Sequence, residues 1–237
     1  MLRTVGTSDN RVPFVNEQQL RTRLQEAELP VVAIDPGLFE GNVGEKAAWL
    51  NDLMLLDEAA AFCKRIRCRT ILTGALAGTR EEFDVVMVAE VLGQAGVISQ
   101  RHDISLAVRN DALSNCASGE SLADLIAAVG HPSVSAAWSP ADALEAGFSP
   151  AEGLEALACR GSVALVFVRD GEGDASSWID CIPGEGRVGW TSQFQRLSEA
   201  GFTGPACLDV RGDTPAKQGL AQATALIQLI RTTQSEL

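Results

Sequence analysis

A chain of 237 residues with 46% hydrophobic content can bury a full core, either as one α/β barrel or as two small domains. Its formal charge is −12, from 19 basic against 31 acidic residues with no long stripe of Lys and Arg, so it repels a phosphate backbone and no nucleic-acid partner is expected. No stretch approaches the ~18 uninterrupted apolar residues of a membrane span, and MLRTVGTSDN is no apolar leader, so a cytoplasmic protein without a membrane partner is expected.

Leu2 to Val5 fits a short strand before a polar turn, Ser8-Asp9-Asn10. Asn16 is placed to cap a helix, with Gln19 three residues on and Leu20, Leu24 and Leu29 along one stripe. VVAID reads as a strand ending on Asp35 and a Pro-Gly turn, and Lys46 to about Arg67 as a long helix with an apolar face. TILTG (Thr70 to Gly74) is the next strand, followed by a Gly-bearing loop and a helix from about Glu81 to Leu92.

Ser105 to Asp111 then opens a recurring pattern. This run, VSAAWS (Val134 to Ser139), VALVFVRD (Val163 to Asp170) and ACLDVRGD (Ala206 to Asp213) are each apolar, turn polar at the C-terminal end and lead into a helical pattern. The helices are Glu120 to Val129, with Ser121 and Asp124 at capping-box spacing; Ser149 to Ala158, opened by Ser-Pro-Ala-Glu; Thr191 to Ala200; and Thr214 to Thr232. Strands alternating with helices, with no hairpin signals between them, predict a parallel sheet whose C-terminal strand ends gather functional groups on one face. The count is about seven strands, one short of a closed eight-stranded barrel, and no linker or repeat divides residues 1–237, so one domain is expected.

The stretches LAVRN, GHPSVSAAWSPAD, SPAEGLEAL, VALVFVRD, PGEGRVGW and LSEAGFTGPACLDV occur in an order that resembles the xylose isomerase-like TIM barrels, the sugar phosphate isomerase/epimerase superfamily. The last two are the most specific, joining a G-E-G turn, an amphipathic helix ending in A-G-F-x-G and a final strand. The resemblance implies an α/β fold, a (β/α) TIM barrel, beginning as though the first βα unit were lacking. It also implies a divalent metal such as Mn or Mg, held by Glu, Asp, His and Glu at four strand ends, with the two Glu residues moving a proton on the substrate.

Matched strand by strand, those positions fall on Arg109, Ser139, Phe167 and Asp209, and a further family His falls on Asp142. Only one carboxylate remains, and a fixed cation at Arg109 repels a divalent ion, so no metal cofactor is expected. The two histidines, His102 and His131, precede their strands, at the end of a barrel away from the chemistry.

Arg109, Arg169 and Arg211, with Asp35, Asp111, Asp170 and Asp209, fall at or just past strand ends. They read either as an anion pocket with Arg forks or as internal ion pairs, Arg109 with Asp209 in place of the metal. Ligand-binding candidates are Asp35, Asp111, Ser139, Asp142, Phe167, Arg169 and Arg211. Two functions follow. One is a catalytically degenerate member holding a small sugar-like or anionic ligand; the other is a working isomerase or epimerase with Asp209 as base and Arg109 as electrophile. An edge left by the lacking unit would be covered by a second copy of the chain, making a homodimer.

Three further signals are read against simpler alternatives. Gly184 to Gly189 matches G-x-G-x-x-G, with Asp209 twenty residues beyond, but Pro183 precedes it and it comes late in the chain, so a nucleotide is disfavoured and a phosphate on the turn's amides is the lesser variant. Trp138 and Phe167 on inward-leaning strands would stack on a sugar ring or simply fill the interior. Ser114 and Cys116 have no His to serve as base. The six cysteines lack paired C-x-x-C spacing and read as reduced, mostly buried residues.

Overall fold

The computed structural model describes residues 2–3, 17–76, 78, 84–160, 163–174, 176–210 and 215–236. The Ser8-Asp9-Asn10 turn, the Asn16 cap, Arg211 and Thr214 lie outside them. The chain divides into two compact units, Met1–Arg109 with Leu125–Ser135, and Asn110–Asp124 with Ala136–Leu237.

The first unit carries β1 (Leu2–Arg3), α1 (Glu17–Glu26), β2 (Ile34–Asp35), α2 (Lys46–Arg65), β3 (Thr70–Thr73), α3 (Val85–Arg101) and β4 (Ser105–Arg109). β1 to β4 pair in parallel, with Ile71 opposite Leu106 and Thr73 opposite Val108. The buried residues of α2 include Trp49, Leu53, Leu56, Ala60 and Cys63, one stripe at three- and four-residue spacing, which is why this sequence lies as a helix on the sheet. Asp84 caps α3 by accepting from the amides of Val86 and Met87.

α3 runs on to Arg101, nine residues beyond the expected end at Leu92. Its buried face continues through Ala95, Gly96 and Ser99, and a Cβ on Gly96 would come 2.6 Å from the His131 ring, so glycine is there for packing and does not end the helix.

α4 (Gly119–Val129) and β5 (Val134–Trp138) pass from one unit to the other. The second unit continues with α5 (Pro140–Glu145), α6 (Pro150–Arg160), β6 (Val163–Val168), β7 (Asp170–Glu172), β8 (Ile179–Cys181), α7 (Trp190–Glu199), β9 (Ala206–Leu208) and α8 (Ala216–Glu236). Among the described residues the sheet order is β1-β2-β3-β4-β5-β6-β9, seven strands, one fewer than a closed barrel and in keeping with a lacking βα unit.

Three expectations are corrected here. α4 is capped by Ser118, whose Oγ accepts from the Ser121 amide at 3.0 Å, and not by Ser121 with Asp124. A short helix, α5, follows β5 directly: Ser139 caps it and Pro140 opens it, a start signal hidden inside what reads as a strand end. The chain also contains a hairpin, the antiparallel pair β7–β8, although no strand pair was expected to be so linked. The Ser149 cap of α6 is as expected, accepting from the Glu152 amide at 3.3 Å.

Candidate functional site

Strand register fixes which side chains share a face in the second unit. Trp138 stands level with Val166, and Val166 with Ala206. Trp138 points to the helices, because a Cβ on Gly153 of α6 would come 2.9 Å from its ring. It therefore does not face a ligand, which corrects the stacking role considered for it. Alternation along the strands then puts Ser139, Phe167 and Cys207 on the opposite face, joined two residues further on by Arg169 and Asp209.

These residues are almost wholly buried. Ser139 and Phe167 are 0% exposed, and Asp209 is 7% exposed, its amide donating to the Val168 carbonyl. Asn110, absent from the sequence candidates, locks the end of β5. Its Nδ2 donates to the carbonyls of Ala117 (3.0 Å) and Ser139 (2.9 Å), and its Oδ1 accepts from the Ser139 amide (2.8 Å). An amide with both ends engaged cannot rotate without losing all three bonds.

Arg169 is the electrostatic centre of this face. One nitrogen, Nη2, donates to Asp142 Oδ1 and Glu145 Oε2, both at 2.6 Å, and Nη1 donates to Asp180 Oδ1 at 2.9 Å. The guanidinium also stands 5.0 Å over the Trp178 ring, whose Nε1 donates to Asp180. Burial pulls the guanidinium pKa down, but the Asp142 charge and the bonds to Glu145 and Asp180 outweigh it, and the net shift is upward. Asp142 and Glu145 face the same way because they lie three apart on α5, a spacing legible once that helix is recognised.

Asp170 explains the G-E-G turn. Its Oδ2 accepts from the amides of Gly184 (2.8 Å) and Gly186 (3.2 Å), its Oδ1 from those of Gly171 (2.9 Å) and Val188 (3.1 Å). The amides that a phosphate would use are thus filled by the chain's own carboxylate, which corrects the phosphate variant. Trp190 packs beneath, fully buried, its Nε1 donating to the Arg169 carbonyl at 3.0 Å.

The remaining candidates fall elsewhere. Asp111 is exposed in the loop after β4 and accepts from the Leu113 amide, a turn-forming role. Asp35 and Arg109 belong to the first unit. Asp35 accepts from the Gly37 amide in the Pro-Gly turn, where Gly37 has φ +66°, and Arg109 is half-buried at the end of β4. Cys116 is fully buried and its thiol is pushed up to about 12, chiefly by burial, which disarms it as a nucleophile. Among the described residues, no three His, Cys, Asp or Glu side chains are gathered to hold a metal ion. No described helix is long and apolar enough to cross a membrane.

A family model described as xylose isomerase-like TIM barrel matches residues 2–231. The chain belongs to that family. Solved structures with the same xylose isomerase-like fold include a xylose isomerase domain protein from Planctomyces limnophilus, 18% identical over 93% of this chain and 83% of that one, at a TM-score of 0.77. The IolI protein, solved with a bound zinc atom, is 14% identical over 99% and 86%, at 0.76. L-ribulose 3-epimerase is 14% identical over 99% and 84%, at 0.75. A comparison with curated proteins finds no match. At these identities the likeness is one of fold, and on that fold Ser139, Phe167 and Asp209 lie on one face of the sheet.

Proposed function

We propose that the protein is a member of this family that holds a small, hydroxyl-rich sugar without a divalent metal, on the face formed by Ser139, Phe167, Arg169 and Asp209. The observation that carries this reading is Arg169. A buried guanidinium paired to Asp142 and Glu145 puts a permanent positive charge beside the family's metal positions. The donors at those positions do not fit a divalent ion: a hydroxyl already used as a helix cap, a phenyl ring and one carboxylate. Arg169 Nε, buried and without a hydrogen-bond partner among the described residues, is left as a donor for a ligand oxygen.

Around Arg169 three carboxylates face one guanidinium, and Asp209 shares its face. Within the earlier choice of a sugar-like or an anionic ligand, that balance favours the uncharged sugar over its phosphate. The test is calorimetric titration of the purified protein with Mn²⁺, then with neutral ketoses and their phosphates. No metal binding, and tighter binding of the neutral sugar, is the expected result; stoichiometric Mn²⁺ would overturn the reading.

A second reading, an active isomerase or epimerase with Asp209 as base, rests on a nearly buried carboxylate on the same face as Arg169. It requires sugar turnover that Asp209→Asn abolishes. The same proposal holds the protein to be a homodimer in which a second copy covers a terminal strand of the sheet.

A further inference from the structure

The end of α2 closes in a Schellman turn. Arg67 adopts the left-handed conformation, φ 60°, and the Cys68 amide reaches back to the Cys63 carbonyl at 2.9 Å, the Arg67 amide to the Lys64 carbonyl at 3.3 Å. That geometry lays the side chain after the left-handed residue against the one five positions earlier, a contact usually made by two apolar groups. Here both are cysteines, both unpaired by any disulfide and no more than 1% exposed.

Both thiols are thus held under one turn, and the Cys68 thiol donates to the Thr70 carbonyl oxygen at 3.4 Å. Hydrogen bonding from Cys63 holds the Cys68 thiol below its ordinary value against the opposing effect of burial, and the same interaction together with burial pushes Cys63 up. The two thiols therefore differ, Cys68 being the one shifted toward the thiolate. That is the division of labour of an attacking and a resolving cysteine.

We propose that Cys63 and Cys68 form a reversible disulfide site, closed by a small hydroperoxide. The Cys68 thiolate attacks one peroxide oxygen, the O–O bond breaks, and the departing hydroxide takes up the proton Cys68 gave off, leaving a sulfenic acid and one water. Cys63 sulfur then attacks Cys68 sulfur. The S–S bond forms, the S–O bond breaks, and the hydroxyl leaves with the Cys63 proton as a second water. Two electrons have passed from the two thiols to the peroxide. A disulfide needs Cα atoms roughly 4.4–6.8 Å apart, and these two residues are already joined by the Cys68 amide to Cys63 carbonyl bond of 2.9 Å. Burial selects an oxidant little larger than water and makes the step wait on fraying of the last turn of α2.

The full chain is treated with hydrogen peroxide, quenched, unfolded with excess alkylating agent and digested for mass spectrometry, with exposed Cys159 as the internal control. The expected product is a Cys63–Cys68 linkage, lighter by two hydrogens than the dithiol and abolished by a reducing agent. Oxidation of Cys159 with Cys63 and Cys68 still separately alkylated would overturn the proposal. In Cys63→Ser, which removes the resolving thiol, dimedone is expected to label Cys68; failure of that label in the folded variant would also overturn it.

Discussion

Arg169 and Asp170 are neighbours in sequence with opposite assignments. Arg169 neutralises the carboxylates of Asp142 and Glu145 on α5, and Asp170 engages backbone amides of the G-E-G turn. Replacing Arg169 by Met removes the guanidinium between Asp142 and Glu145, leaving Asp142, 0% exposed, without its cation. Removing one partner of a buried pair costs about 3–5 kcal/mol, so urea unfolding of Arg169→Met is expected to show a loss of that size. Asp170→Ala takes one acceptor pair from four amides. Leaving buried donors unmatched costs about 1–3 kcal/mol each, so the variant is expected to lose at least as much stability as Arg169→Met in the same assay. Gly186→Ala should act on the same contact, since a Cβ there would collide with the Asp170 carboxylate.

At the scale of elements, α4 and α6 meet through glycines. Gly119 opens α4, Gly153 sits in the first turn of α6, and a Cβ on Gly119 would strike the backbone of Gly153. Gly119→Ala is therefore expected to lower the unfolding free energy in urea by an overpacking cost of about 1–3 kcal/mol, whereas Gly93→Ala in α3, where a Cβ meets nothing, is expected to be neutral or stabilising. The contrast between two helical glycines also shows what the sequence withholds. Regular βα alternation is local and was legible: apolar runs, Ser149-Pro150 and the α2 stripe all formed the elements they suggest. The reach of α3 past Leu92 was not, because what calls for glycine at Gly96 is the His131 ring brought in from a distant turn, while Gly93 meets nothing. α5 was hidden since Ser139 closes β5 and caps the helix at once, and the face of Trp138 is set by its contact with Gly153, which no periodicity in five residues specifies. Ser139, Phe167 and Asp209, singled out by strand matching, lie on one face, while Asn110, Glu145 and Asp180 acquire their hydrogen-bonding roles only through partners up to 29 residues away.

At the scale of the whole chain, the sheet formed by the described residues has seven strands, with β1 and β9 terminal in its order. A terminal parallel strand presents unpaired amides and carbonyls, a template that proteins cover, charge or pair. The net charge of −12 resists indiscriminate association, so pairing through such an edge has to be specific, and a two-fold dimer satisfies it with one surface. A dimer whose interface supports folding carries a thermodynamic signature that a monomer lacks: its melting temperature rises with protein concentration, because association adds a mass-action term to stability. Light scattering at micromolar concentration is expected to give twice the 25.0 kDa chain mass, and thermal melts over a hundredfold dilution are expected to shift downward together with that mass. A single-chain mass with a melting temperature independent of concentration would mean that the chain covers its own edge.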